Sequence, residues 1–491
     1  MAGFTRRAFL QAAAGGTAAA ARSETGRRSR PNVLLLMSDQ HRWDAFGFTG
    51  NSVIRTPNFD KLAAGGTRFT ECWAQHPVCM PSRASIFTGR YPSVHGVRTN
   101  GVPLPRTETT LAQVFAENGY RTGGAGKFHF IPHYPYGSPL PTMDTYPGPY
   151  YGFQEFHIGE DGRSGEQWEW IKKNYPEYHR KPDHEIPLRL HNTYWAASHT
   201  IDFIRRCVRR DEPFFAFCSF VDPHHAYDPP PPYRDMYREE DMPRPIGRAG
   251  EHEGKPAYVA GLVKRYRRWC DRVLYHRTQY YGEVTFIDDS IGRILDALEE
   301  FGVRDNTLIV YLPDHGDLLG DHNLFFKGQQ HYRECANLTM LFNWPGKVKA
   351  GKVVEGFVQE IDVFPTIAEL VGLPRTPGVQ GRSQVEALTT DSASTGYDSI
   401  LIEHAIHGET APGVPVPDVP DCYTIRTKEW RMTYYPALGT GELYDLEKDP
   451  RELYNRWGDA KLGAVRQKMK NLLLDRVLAA RDPLPVRENR Y

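Results

Sequence analysis

Between His76 and Arg90 the chain reads His-Pro-Val-Cys-Met-Pro-Ser-Arg-Ala-Ser-Ile-Phe-Thr-Gly-Arg. Pro81 and Ser82 suit the opening of a helix, so Cys79 lies where free backbone N–H groups and the positive end of the dipole attract an anion. Arg83 follows four residues later. A second pattern sets Asp39-Gln40 and Asp314-His315 at the ends of short apolar runs. Four such side chains on neighbouring strand ends would converge on one divalent cation. The oxygen donors and open positions suit Ca²⁺; the His nitrogen and the Gln amide leave Mn²⁺ or Zn²⁺ open.

The elements that must hold these residues are legible as continuous apolar runs. Asn32–Ser38, Phe214–Phe220 and Thr307–Leu312 read as strands covered on both faces, and each ends in polar residues: Asp39, Asp222-Pro223-His224 and Asp314-His315. Between them, Val284, Ile287, Ile291, Ile294, Leu295 and Leu298 recur at helical spacing. Strands alternating with helices imply an α/β layer structure, with chemistry on the rim at the carboxyl ends of the strands. Residues 131–151 and 228–268, dense in Pro with Tyr or Arg, read as long excursions over that rim. After Pro374 the pattern changes to strand-like segments over Thr424–Tyr435 and a closing helix near Leu462–Ala479. The organisation expected is a leader over residues 1–30, a catalytic domain over 31–375 and a smaller C-terminal unit over 376–491.

The run Cys79-Met-Pro-Ser-Arg83, followed by Thr88-Gly-Arg90, resembles the sulfatase family signature. Gly126-Lys-Phe-His129 is similar to that family's G-K-x-H, Asp222-Pro-His-His225 to its D-P-H, and Asp314-His-Gly-Asp317 with Gly320-Asp-His322 to its D-H-G-[DE]-x-x-G-D-H. Lys327, Tyr332 and Glu334 fall on its K-x(4)-Y-x-E, and Glu442-Leu-Tyr-Asp-Leu446 with Asp449-Pro450 on its E-L-Y-D-L-x-x-D-P. The likeness runs from about Pro31 to Asn455. It implies an alkaline-phosphatase-like α/β fold, with a large mixed central sheet flanked by helices and a small C-terminal domain on a short antiparallel sheet.

The resemblance also implies that Cys79 is oxidised to formylglycine by a formylglycine-generating enzyme, and that a hydroxyl of the aldehyde hydrate attacks the sulfur of a sulfate ester. Asp39, Gln40, Asp314 and His315 are then the metal ligands, with Asp314 also the base that activates the hydroxyl. Sulfate ester hydrolysis develops negative charge on the leaving oxygen, so it needs cations and an acid. Arg83 and Lys127 are expected on the hydrate and sulfate oxygens and Lys327 on another sulfate oxygen. His224 is expected to protonate the leaving group, in competition with His225, and His129 to take the hydrate's proton. His95, Asp321 and His322 are expected to orient the ligands. Many members have a second Asp at position 40 and Asn at 315; the Asp-Gln/Asp-His form also occurs in relatives that cleave phosphonate or phosphate esters. Ala226 replaces a common proline, and Glu334-Cys-Ala-Asn337-Leu-Thr replaces E-x-x-R-V-P.

Composition narrows the rest. The 491 residues carry 60 Lys and Arg against 60 Asp and Glu, with no basic stripe interleaved with aromatics, which argues against a nucleic-acid binder. No run approaches the ~18 apolar residues of a membrane span. Arg6-Arg7 ahead of a mild Ala/Gly-rich stretch, with Ala19 and Ala21 as a cleavage site, resembles a twin-arginine export signal and predicts a periplasmic or extracellular protein. Seven cysteines without a C-x-x-C pair indicate neither a zinc site nor a disulfide framework. Aromatic-rich stretches at Tyr134–Tyr151 and Trp168–Trp195 suit stacking on sugar rings, so the expected substrate is a sulfated carbohydrate or a small alkyl or aryl sulfate. Two rivals are a phosphonate monoester or phosphodiester hydrolase using the same site, and a scaffold that binds sulfated glycans without cleaving them.

Overall fold

The structure is a computed structural model and describes residues 30–133, 140–405 and 420–485. The export-signal reading therefore lies outside the described residues, as does part of the 131–151 excursion. The nine strands of the main sheet are β1 (Asn32–Ser38), β2 (Thr67–Trp73), β3 (Arg121–Gly126), β4 (Glu155–Glu160), β5 (Ser164–Gly165), β6 (Phe214–Phe220), β7 (Thr307–Pro313), β8 (Asn337–Asn343) and β9 (Lys352–Gln359). They lie in the order β5-β4-β3-β6-β1-β7-β8-β2-β9. From β4 to β7 all neighbours are parallel; β7–β8 and β8–β2 are antiparallel, which makes the sheet mixed.

β1 is the centre, flanked by β6 and β7 with Leu36 opposite both Cys218 and Tyr311. All seven of its residues are buried. Val33, Leu35 and Met37 face one core, built with Ile86, Phe87, Phe115 and Phe364; Leu34 and Leu36 face the other, built with Phe59, Ile204, Ile287 and Ile294. Helices thus cover both faces, which is why the strand is apolar at every position rather than at alternate ones. The expected 284–298 helix is part of Val273–Glu300, and the 228–268 stretch runs into an unforeseen helix, Ala257–Cys270. No helix among the described residues is long and apolar enough to cross a membrane.

A second sheet holds β10 (Ile400–His404), β11 (Cys422–Arg426), β12 (Trp430–Tyr435) and β13 (Thr440–Asp445), antiparallel in sequence order. The Thr424–Tyr435 stretch is two strands of a hairpin. The helix Gly463–Ala479 packs on them through Met469 and Leu473. One buried side chain of this sheet reaches into the main domain with several contacts at once. The Arg431 guanidinium donates to the His331 carbonyl (2.9 Å), pairs with Glu452 (2.7 Å) and lies over the rings of Tyr332 (4.8 Å) and Tyr444 (4.6 Å). Glu442 accepts from Tyr444 (2.6 Å) and Tyr435 (2.8 Å).

Candidate active site

Five strand ends and one helix start meet at a single point of the rim. β1 and β7 run in register, Ser38 opposite Pro313, so Asp39 and Asp314 leave the sheet side by side. The Asp314 amide donates to the Ser38 carbonyl (3.3 Å), and the Gln40 amide to Asp314 Oδ1 (3.0 Å). Cys79 begins the helix Cys79–Thr88, all ten residues of which are buried. Ser82 pins that helix to the β7 end by donating to the Asp314 carbonyl (2.6 Å) or Glu360 (2.7 Å). At the end of β3, Gly126 has φ +99° and a Cβ there would run into the Ser219 carbonyl. Only glycine fits this close approach, which lets the Lys127 amide donate to Ser219 (2.9 Å).

The Cys79 sulfur lies 3.2 Å from His315 Nε2 and 3.7 Å from Asp39 Oδ1, with Lys127 Nζ at 3.9 Å. Lys127 bridges Asp39 (2.8 Å) and Asp161 (2.9 Å). Lys327 donates to Gln40 Oε1 (2.7 Å) and stands 3.9 Å from Asp39. His224 places Nε2 3.4 Å from Asp161, and its Nδ1 donates to the His225 carbonyl (2.7 Å). A cavity of about 350 Å³ opens beside Asp161, His224 and His225, with Arg163, Trp168 and Glu283 also in its wall.

Burial and charge set the protonation states. Burial alone would raise the Asp39 carboxyl, but Lys127, Lys327 and Arg83 hold it well below the usual range. Burial pushes the Cys79 thiol up to about 12, and the Asp39 charge adds to this. Lys127 stays charged: burial opposes this, and Asp161 with Asp39 overcomes it. His224, His129 and His315 are all lowered, by burial first and by neighbouring cations as well, which for His315 means Lys327 acting against Asp314 and Asp39, so each imidazole is neutral with a lone pair to offer.

Asp39, Asp314, His315 and Cys79 each bring a ligand atom to within 4.8 Å of the others. Two carboxylates and a neutral imidazole are a fitting donor set for a divalent cation. The ion-paired groups around them are already balanced, Asp39, Asp161 and Asp314 against Arg83, Lys127 and Lys327. A bound dication would leave a positive surplus, which an anionic substrate offsets.

The other expected residues have the following partners. The Arg83 guanidinium, expected on the hydrate and sulfate oxygens, donates to Asp314 (2.8 Å), Asp39 (3.1 Å), the Lys127 carbonyl (2.6 Å) and Ser219 (2.9 Å), so it braces the two carboxylates. Gln40, expected among the metal ligands, meets Lys327 through its side chain and keeps a second lone pair on its oxygen. Lys327 has only hydrogens to give, so the atom it meets is the Gln40 oxygen, and the amide nitrogen faces Asp317 and His225. His129 rests on His133, and its Nδ1 has no partner among the described residues. His95 bonds Ser85 (3.0 Å), Asp321 pairs with Arg42 (2.8 Å) and Arg277 (2.6 Å), and His322 pairs with Glu251 (2.5 Å). Asp321 acts at one remove, because Arg42 donates to the Asp317 carbonyl (2.8 Å). Asp161 and Asp317 were missed. Asp161 directly follows β4, another strand end of the same parallel row, and Asp317 stands inside the D-H-G-D motif, where it accepts from Gln40 and Tyr227.

Residues 31–373 match the family model described as Sulfatase, and residues 320–478 that described as N-sulphoglucosamine sulphohydrolase, C-terminal. The chain is 33% identical to an arylsulfatase of Clostridium perfringens, covering 87% of this chain and 90% of that protein. It is 26% identical to an N-acetylglucosamine-6-O-sulfatase of Bacteroides thetaiotaomicron, covering 95% and 89%. Among solved structures, a phosphonate monoester hydrolase of Agrobacterium radiobacter superposes with a TM-score of 0.81 at 27% identity, covering 93% of this chain and 97% of that one. The fold is the alkaline-phosphatase-like α/β architecture expected. Because the first match spans the whole nine-stranded sheet and the strand ends that build the site, this chain belongs to the sulfatase family, whose members hydrolyse sulfuric esters.

Proposed function

We propose that the protein hydrolyses sulfate esters of carbohydrates or small alcohols, using formylglycine made from Cys79 and one divalent cation, with Ca²⁺ the best fit. The observation that supports this most is the meeting of the Cys79 sulfur with Asp39, Asp314 and His315 in one buried cluster, with Lys127 and Lys327 at its edge. The formylglycine hydrate supplies one hydroxyl to attack sulfur and a second whose deprotonation ejects sulfate. Asp39, Gln40, Asp314 and His315 would hold the cation, which would polarise the sulfate oxygens. Lys127 and Lys327 draw charge off the sulfate, and Arg83 keeps both carboxylates in place. His224 has its Nδ1–H fixed on a carbonyl, so Nε2, beside Asp161, is the free nitrogen; once the anionic ester binds and the ring takes up a proton there, Nε2 passes it to the leaving oxygen. His129 accepts the hydrate's proton. The sugar or alcohol would occupy the cavity walled by His224, Trp168 and Glu283. The Arg6-Arg7 leader supports export to the periplasm or beyond, after maturation by a formylglycine-generating enzyme.

Mass spectrometry of the tryptic peptide Phe69–Arg83 tests the modification, with Cys72 in the same peptide as an internal thiol reference. Aldehyde at position 79 is expected; fully active enzyme with both thiols intact would remove the mechanism. The likeness to a phosphonate monoester hydrolase at 27% identity favours a second reading, in which phosphonate monoesters are the main substrate. Parallel kcat/KM values on an aryl sulfate and an aryl phosphonate decide between them.

A further inference from the structure

Beyond the Asp39 cluster, His129, His133 and Glu160 bring two imidazoles and a carboxylate together, one ligand atom of each within 4.8 Å of the other two. Each residue is only 5% exposed. The two strand ends that deliver them are neighbours: β3 runs into the loop holding His129 and His133, and Glu160 is the last residue of β4, parallel to β3. Glu160 Oε1 accepts from the amides of Phe128 (3.0 Å) and His129 (2.8 Å), which fixes the loop to the strand. Its other oxygen, Oε2, and His129 Nδ1 have no hydrogen-bond partner among the described residues. A buried polar atom left without a partner is costly, so two in one place point to a ligand that satisfies both. The imidazole centroids lie 4.6 Å apart with planes inclined at 52°, so the rings converge rather than stack.

The surroundings complete the arrangement. Asp161 Oδ1 lies 2.6 Å from His133 Nε2, the carboxylate–imidazole contact that commonly orients a metal-binding ring and fixes its tautomer. Asp161 also stands between His133 and the Lys127 ammonium, which shields a second cation from Lys127. Glu160 and Asp161 line the 350 Å³ cavity, which gives an entry path. Two nitrogens and one carboxylate oxygen match the three-ligand Zn²⁺ set with an open fourth position and are too few and too nitrogen-rich for Ca²⁺.

We propose that His129, His133 and Glu160 form a second cation site, separate from the Asp39–Asp314–His315 cluster, that binds Zn²⁺ or a similar transition metal. Binding withdraws His129 from proton transfer, so Zn²⁺ inhibits turnover where Ca²⁺ does not.

The test is calorimetric titration of the chelated, desalted full-length enzyme with Zn²⁺ in saturating Ca²⁺, with metal content confirmed by elemental analysis. Wild type is expected to take up one Zn²⁺ equivalent that His133→Gln loses. Glu160→Gln keeps an oxygen for the two amides and should bind on the order of 10–100-fold more weakly; it also decides the matter if His133→Gln does not fold. Absence of Zn²⁺ uptake by wild type, or retention of wild-type affinity by Glu160→Gln and by any folded His133→Gln, overturns the site. Zn²⁺ lodged in the Asp39 cluster would survive both substitutions and counts against the proposal.

Discussion

Lys327→Ala separates the electrostatic role of the rim lysine from any structural one. The side chain is 11% exposed, and its Nζ touches Gln40 Oε1 at 2.7 Å while standing 3.9 Å from Asp39. Losing the Gln40 contact removes one charge-assisted hydrogen bond, about 1.5–3 kcal/mol at most, and Asp39 keeps Lys127 (2.8 Å) and Arg83 (3.1 Å). The fold should survive. The catalytic loss should be larger, because a unit charge about 4 Å from developing negative charge is worth about 4 kcal/mol at an effective dielectric near 20. Removal of preorganised donors costs about 10²–10³-fold, which agrees. Initial rates on an aryl sulfate, with kcat and KM resolved, should show kcat and kcat/KM falling together by that factor, while a thermal melt moves only a few degrees. A kcat within tenfold of wild type, or collapse of the melt, would refute the reasoning.

Arg83→Ala should behave in the opposite way. It leaves two fully buried carboxylates without their brace, so denaturant unfolding should show about 3–5 kcal/mol lost, and Arg83→Lys should restore only part because it cannot span both acids. His224→Ala should slow alkyl sulfates far more than nitrophenyl sulfate, whose leaving oxygen needs no proton; equal losses on both would remove His224 as the acid. His322 offers a pH test. Burial works against its charge, yet Glu251 and Glu334 raise its pKa to about 9. Its contribution is therefore complete below about pH 6.5 and fades as pH rises through 9. The stability gap between wild type and His322→Asn should narrow from up to about 3 kcal/mol at pH 6 toward zero at pH 10; a gap that widens with pH contradicts the assignment.

The central strands were legible because burial on both faces forces an unbroken apolar run, as in Asn32–Ser38. β3 was not, because Arg-Thr-Gly-Gly-Ala-Gly carries almost no hydrophobic side chains: Phe203 and Phe128 fill the space where Cβ atoms at Gly123 and Gly124 would sit. β4 hid its character in Glu-Phe-His-Ile-Gly-Glu, and with it went Asp161. Residue types and motif order located Cys79, Asp39, Asp314, His315, Lys127 and Lys327 on one rim. What side chains do to one another was not legible. That Arg83 spends its donors on two carboxylates, and that Gln40 turns its oxygen to Lys327, depends on atomic distances that spacing along a chain does not encode.

The grip of Arg431 on the His331 carbonyl and on the rings of Tyr332 and Tyr444 bears on how this enzyme can be re-engineered. The loop so held is the one that delivers Lys327, four positions before His331. Exchanging the C-terminal sheet for that of a homologue would unfasten a lysine of the reaction centre without altering a single residue that lines it. Chimeras should therefore transplant the 327–334 loop and the 422–452 strands as one inherited pair, and a recombination junction placed between them should yield well-folded but sluggish hybrids.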